Sequence, residues 1–152
     1  MSDSMESGGG AASSLPPGWA SAGRIDGWRE FKERVTAALS WVADKPMNLV
    51  LSDRDFQGWP LGERAAVSAC EAWSSLHTGT TMCLLLASGE ALGRVHPRWM
   101  LWRQTHAHRV HAALVPEDAQ DHVPTLLLLG QALGLRVLDA RLGVGLWTTD
   151  RA

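Results

Sequence analysis

Two apolar runs separated by a helix-length segment, a third after another such segment, and then three more runs at close spacing restrict what this chain can build. "MNLVLSD" (47–53) and "TTMCLLLAS" (80–88) are apolar almost throughout, the pattern of strands buried on both faces. "HRVHAALV" (108–115) alternates instead, with Val110, Ala112 and Leu114 on one side, as expected nearer a sheet edge. "PTLLLLG", "LGLRVLD" and "VGLWTTD" then follow with Gly-containing turns, which predicts hairpin-connected strands. A β-α-β-α-β start demands parallel pairing through helical crossovers, and the close-spaced end predicts an antiparallel meander. The expected fold class is therefore α/β, with both parts on one mixed sheet.

The intervening segments carry helix signals. Pro60 suits a first turn before "LGERAAVSACEAWSSLH". Pro97 divides "GEALGRVHPRWMLWRQTHA" into a short and a longer helix. Upstream, "GWREFKERVTAALSWVAD" spaces Trp28, Phe31, Val35, Leu39 and Val42 along one helical face, with Asp26 as the expected N-cap. Residues 1–23 are small, polar and Gly/Ser-rich, and are expected as a disordered tail. The expected organisation is tail 1–23, helix and linker 24–46, and α/β domain 47–152.

With 152 residues the chain has room for one substantial core. A net charge of −2 gives no global field toward nucleic acid, and no apolar run approaches a membrane span. The N-terminus lacks a basic start and an apolar run, so a cytoplasmic location is expected. Cys70 and Cys83 form no C-x-x-C motif and are expected as reduced, buried thiols. Of eight tryptophans, those at 28, 41, 73, 99 and 102 fall in helical patterns, which predicts packing rather than base stacking.

"LSDRDFQGWPLGER" (51–64) is the chemically suggestive stretch. "LVLSDRDF" resembles the start of the haloacid dehalogenase-type phosphohydrolases, which carry D-x-D after a buried first strand. The resemblance implies Asp53 as nucleophile, Asp55 as acid/base, Ser88 as a phosphate contact and magnesium held with the help of the "PEDAQD" loop. Gln57 stands where Thr or Val is usual, and no lysine follows Lys45 to hold a phosphate. The stronger reading makes "DRDFQGWP" a strand-to-helix joint, with Asp53 and Asp55 satisfying loose backbone donors.

His106 and His108 would share a face if they lay on a strand, which suits two imidazole ligands, but no third arm stands nearby. Arg94, Arg98, Arg103 and Arg109 with neighbouring histidines form a locally basic strip, without a recognisable nucleic-acid motif. No Walker loop, G-x-G-x-x-G or G-x-S-x-G is present.

In element order, residues 47 to about 150 resemble one half of a phospholipase D-type domain. That superfamily carries H-x-K-x(4)-D where this chain has "DHVPTLLLLGQALGLRV", with His122 at the nucleophile, Pro124 at the lysine and Leu129 at the aspartate. Proline has no side-chain donor, so the resemblance implies an absent catalytic site, no cofactor and a homodimer of single halves. "LSDRDFQGWPLGER" and "HPRWMLWR" are also similar to stretches of bacterial proteins of this length without known activity. The reading overall is a small α/β domain that acts by binding or assembly, with the magnesium-dependent phosphohydrolase as the alternative.

Overall fold

The structure, a computed structural model, describes residues 15–149. In chain order its elements are β1 (Ala22–Asp26), α1 (Trp28–Val42), β2 (Leu49–Ser52), α2 (Arg64–Leu76), β3 (Met82–Leu86), α3 (Gly89–Val95), α4 (Pro97–Thr105), β4 (Val110–Leu114), a 3-10 turn (Glu117–His122), β5 (Thr125–Leu129), β6 (Leu133–Asp139) and β7 (Val144–Thr148). All seven strands form one mixed sheet in the order β1-β7-β6-β5-β2-β3-β4. β2, β3 and β4 run parallel, while β5 joins β2 antiparallel and leads the β5-β6-β7 meander. The α/β class and the mixed sheet are as the apolar runs predict. No helix among the described residues is long and apolar enough to cross a membrane.

Strand alternation sorts the sheet into two unlike faces. On one face Leu49, Leu51, Met82, Leu84, Leu127, Leu129 and Leu135 are at most 1% exposed. They lie beneath Phe31, Val35 and Leu39 of α1, Cys70 and Trp73 of α2, and Trp99 and Trp102 of α4. α1 packs on α2 and α2 on α4, giving a single helical layer. Each fully buried leucine contributes about 2 kcal/mol relative to exposure.

The opposite face corrects one expectation. The parallel strands are not buried on both sides: Cys83 is exposed, and Val50 and Leu85 are only half-buried. Register sets two rows across this face. One runs His111, Cys83, Val50, Leu128, Gly134, Thr148, Ala22. The next runs Ala113, Leu85, Ser52, Leu126, Arg136, Leu146, Arg24. Over the β5–β7 part of these rows lies a shallow cavity of about 810 Å³.

The N-terminal boundary also differs. Residues 1–14 of the expected tail lie outside the described residues, but Ala22–Asp26 is a strand paired with β7. Trp19 packs on Trp147 with ring centroids 5.1 Å apart, and Arg34 lies over the Trp147 ring at 4.1 Å. β1 and α1 therefore belong to the same core as residues 47–149. Asp26 is in β1 rather than at the helix cap, which is Gly27. Its backbone N–H donates to Glu30 Oε1 at 2.7 Å, so the acid of the first helical turn reaches back instead.

Candidate functional site

β2 is flanked by parallel β3 on one side and antiparallel β5 on the other, so the chain leaving its carboxyl end opens a crevice at a switch in connectivity. "DRD" occupies that crevice. The Asp53 N–H donates to Leu85 O at 3.1 Å and Ala87 N–H donates to Arg54 O at 3.1 Å, extending the ladder with β3 past the strand's end. Asp53 is buried, and both its carboxylate oxygens are engaged. Oδ2 accepts the Phe56 N–H at 2.8 Å, and Oδ1 accepts the Thr125 hydroxyl from the start of β5. Burial raises the Asp53 pKa above its ordinary value, and these two donors offset part of that rise. Asp55 accepts the Gln57 N–H at 3.1 Å, an Asx turn.

The turn encloses an unusual backbone. Phe56 has φ +61°, the left-handed region that costs a non-glycine residue roughly 1–2 kcal/mol. Asp53 holds the N–H of Phe56, and His96 Nε2 lies 2.7 Å from its carbonyl oxygen. His96 Nδ1 accepts the Gly62 N–H at 3.0 Å, which makes Nε2 the protonated nitrogen and the donor to Phe56. Burial lowers the His96 pKa, consistent with this neutral form. The Phe56 ring is buried edge-on to Trp59, 4.9 Å between centroids, and Trp59 in turn meets Phe31 of α1 at 5.3 Å. Gly58 lets Trp28 cross the turn, since a Cβ there would lie 2.5 Å from the Trp28 ring.

Asp53, Asp55, Thr125, Gln120 and Asp121 line a cavity of about 530 Å³ in the crevice. Arg54 and Asp121 pair at 3.5 Å and are both largely exposed, an interaction worth less than about 1 kcal/mol. Of the residues a phosphohydrolase would use, Asp53, Asp55 and one acid of the "PEDAQD" loop thus come together. Ser88 does not line the cavity and caps α3, its hydroxyl accepting the Ala91 N–H at 3.3 Å. Among the described residues no three His, Cys, Asp or Glu side chains converge as a metal-binding group.

The histidines are placed differently from their sequence expectation. β4 begins at Val110, so His106 and His108 lie in the turn before it and share no strand face. His106 ends α4, stacked on Trp102 with its Nδ1 3.0 Å from Trp102 O. His122 is exposed at the end of the 3-10 turn, three residues before β5 begins.

Arg109 leaves the expected basic strip. It is buried, with Nε donating to Thr80 O at 2.7 Å, Nη1 to Ser74 O at 2.8 Å and Nη2 to Thr80 Oγ1 at 2.7 Å and to His77 O. It fastens the end of α2 to β4 and has no guanidinium face left for a phosphate. Thr125, which sequence reasoning passed over, was marked only by being polar at the head of a leucine run. His96 stood among the histidines that invite a metal hypothesis, and nothing local ties it to this turn.

Comparisons with family models, curated proteins and solved structures give no match to this chain.

Proposed function

We propose that this chain is a non-catalytic binding or assembly domain, a degenerate phospholipase D-like half that works through a surface rather than an active site. One observation carries this reading. Asp53 is the one buried carboxylate among the described residues, and both its oxygens hold the fold, one the Phe56 turn and the other β5. A nucleophile presents an oxygen to its substrate, whereas this carboxylate is 7% exposed and each of its oxygens accepts a bond that holds a joint. In the phospholipase D-like alignment Pro124 and Leu129 leave His122 without a phosphate-holding partner. Two free thiols, Cys70 and Cys83, support a cytoplasmic setting as part of this proposal.

The magnesium-dependent phosphohydrolase is the second reading, favoured by Asp53, Asp55 and Asp121 lining one crevice. Melting curves of wild type and Asp53→Asn with and without magnesium separate the two. A joint gives midpoints indifferent to magnesium in both proteins. A metal site gives a wild-type midpoint that climbs with magnesium and a mutant midpoint that stays flat.

A further inference from the structure

We propose that the uncovered face of the sheet docks a second copy of this chain, the two sheets stacking into a four-layer α-β-β-α dimer. The proposal rests on the reading of the chain as an assembly domain and supplies its surface and partner.

Parallel strands with apolar side chains on both faces require cover on both, yet among the described residues only one face has it. Val50, Cys83, Leu85, Leu126, Leu128 and Leu146 remain half-buried or exposed on the other. These residues run from β3 to β7, four strand spacings in the sheet order, or roughly 19 Å. One helix is about 10 Å across and covers half that width, while a second copy brings a sheet of the same breadth. Residues 1–14 and 150–152 have only Met1 and Met5 as large apolar side chains. The whole seven-strand face, with the polar edges β1 and β4 as a rim around the apolar five, has a footprint of roughly 500 Å² per copy, at the roughly 1,000 Å² in total that a specific interface needs.

The register is also self-complementary. β5 is the central strand, with three strands on each side. A twofold axis along β5 lays β6 of one copy over β2 of the other, with the usual ~30° sheet rotation about that centre. Leu126 and Leu128 then meet their own counterparts. Arg136 comes opposite the small Ser52 rather than another Arg136, Gly134 opposite Val50, and Leu146 opposite Leu85. Arg136 and Val50 thus face small residues next to the axis, and Leu146 and Leu85 meet as an apolar pair farther out.

Sedimentation of the full chain over a micromolar range tests this together with thiol labelling. Cys83 is the exposed thiol on the face, whereas burial pushes the Cys70 thiol up to about 12 and keeps it silent. We expect a dimer whose Cys83 labels more slowly as concentration rises through the dissociation constant, by about tenfold where nine in ten chains are paired. Leu128→Glu gives a monomer with fast labelling, and Leu101→Glu, on the exposed side of α4, leaves the dimer intact. Leu146→Glu, at a side chain already 37% exposed, repeats the first result should Leu128→Glu fail to fold. A wild type that stays monomeric overturns the proposal, whether Cys83 labels fast or is shielded within one chain. So does a dimer that survives both face substitutions. None of these outcomes involves magnesium, so they are distinct from a failure of the non-catalytic reading.

Discussion

His96 donates through Nε2 to the carbonyl of Phe56 at 2.7 Å while its Nδ1 accepts from Gly62, so a residue of the α3–α4 corner locks a turn forty positions earlier in the chain. The Gly62 half of this lock works only with a neutral ring. A proton on Nδ1 would remove the acceptor for the Gly62 N–H and set two donors face to face. Burial is the main cause that holds the His96 pKa below 6.5; the bond to the Phe56 carbonyl opposes it, Lys32 adds to it and Glu63 opposes it in turn.

The sign of the resulting pH dependence follows. Below pH 6.5 the unfolded chain takes up a proton at this position that the native state refuses. The stability is fully present above that pH and is lost as pH falls toward the folded value, by at most about 1.4 kcal/mol per pH unit. Urea unfolding of wild type and His96→Asn between pH 7 and pH 5 checks it. The variant should be weaker at pH 7 and flatter toward pH 5, and equal slopes would sink the idea.

Asp53 has the opposite dependence, because its folded pKa is raised by burial from 3.8. Its ionisation costs nothing below 3.8, and the cost is complete once pH exceeds the folded value. Asp53→Asn keeps an acceptor for Phe56 and removes that cost, so its stability at pH 7 should stay within about 1 kcal/mol of wild type. Asp53→Ala orphans the Phe56 N–H and the Thr125 hydroxyl and should cost about 2 kcal/mol, more than the Asn variant at every pH. Equal losses in Asn and Ala variants would mean that these hydrogen bonds do not hold the turn.

Arg109 is a buried cation whose partners are carbonyl and hydroxyl oxygens of Ser74, His77 and Thr80, with the Trp73 ring 4.9 Å from the guanidinium carbon. Lysine presents its donors from one point and cannot span the three carbonyls, so Arg109→Lys should cost about 2 kcal/mol. Arg109→Met leaves those carbonyls dry and should cost about 3 kcal/mol or more. Denaturant midpoints read both, and a methionine variant as stable as wild type would refute the assignment.

How much of this was legible depends on how local each signal is. β2 and β3, and the break at Pro97, follow from runs of a few residues, and the structure has them where the runs fall. The joint at "DRD" follows from Asx-turn chemistry acting over two or three positions. Its outer partners do not, because His96 and Thr125 reach it from 40 and 72 positions away with no periodic pattern to mark them. The open sheet face was hidden for another reason. A continuous apolar run looks the same whether its second face is covered by its own chain, by another chain or by neither. β1 was invisible because an edge strand needs few inward residues, and only Ile25 of Ala22–Asp26 is buried.

That weak signal makes β1 the sharpest test of where the domain begins. "AGRID" would not form a strand alone, and its place depends on what β7 and α1 offer. The Trp147 indole occupies the space a Cβ on Gly23 would need, and its Nε1 donates to Ala20 O at 3.0 Å. Trp19 closes over Trp147, and Arg34 of α1 lies above both rings. Removing residues 1–26 would therefore uncover Trp147, leave Arg34 without its rings and leave β7 with a bare edge. We expect the truncated chain to unfold several degrees below wild type, consistent with about 2–3 kcal/mol of lost aromatic packing and pairing. Trp19→Ala alone should lose about 1 kcal/mol of this, and Gly23→Val should be no better than the truncation at β1, because the valine cannot share space with Trp147. Calorimetric midpoints for the three variants decide the matter. A truncation as stable as the full chain would return residues 15–23 to the status of a tail and move the start of the domain to α1.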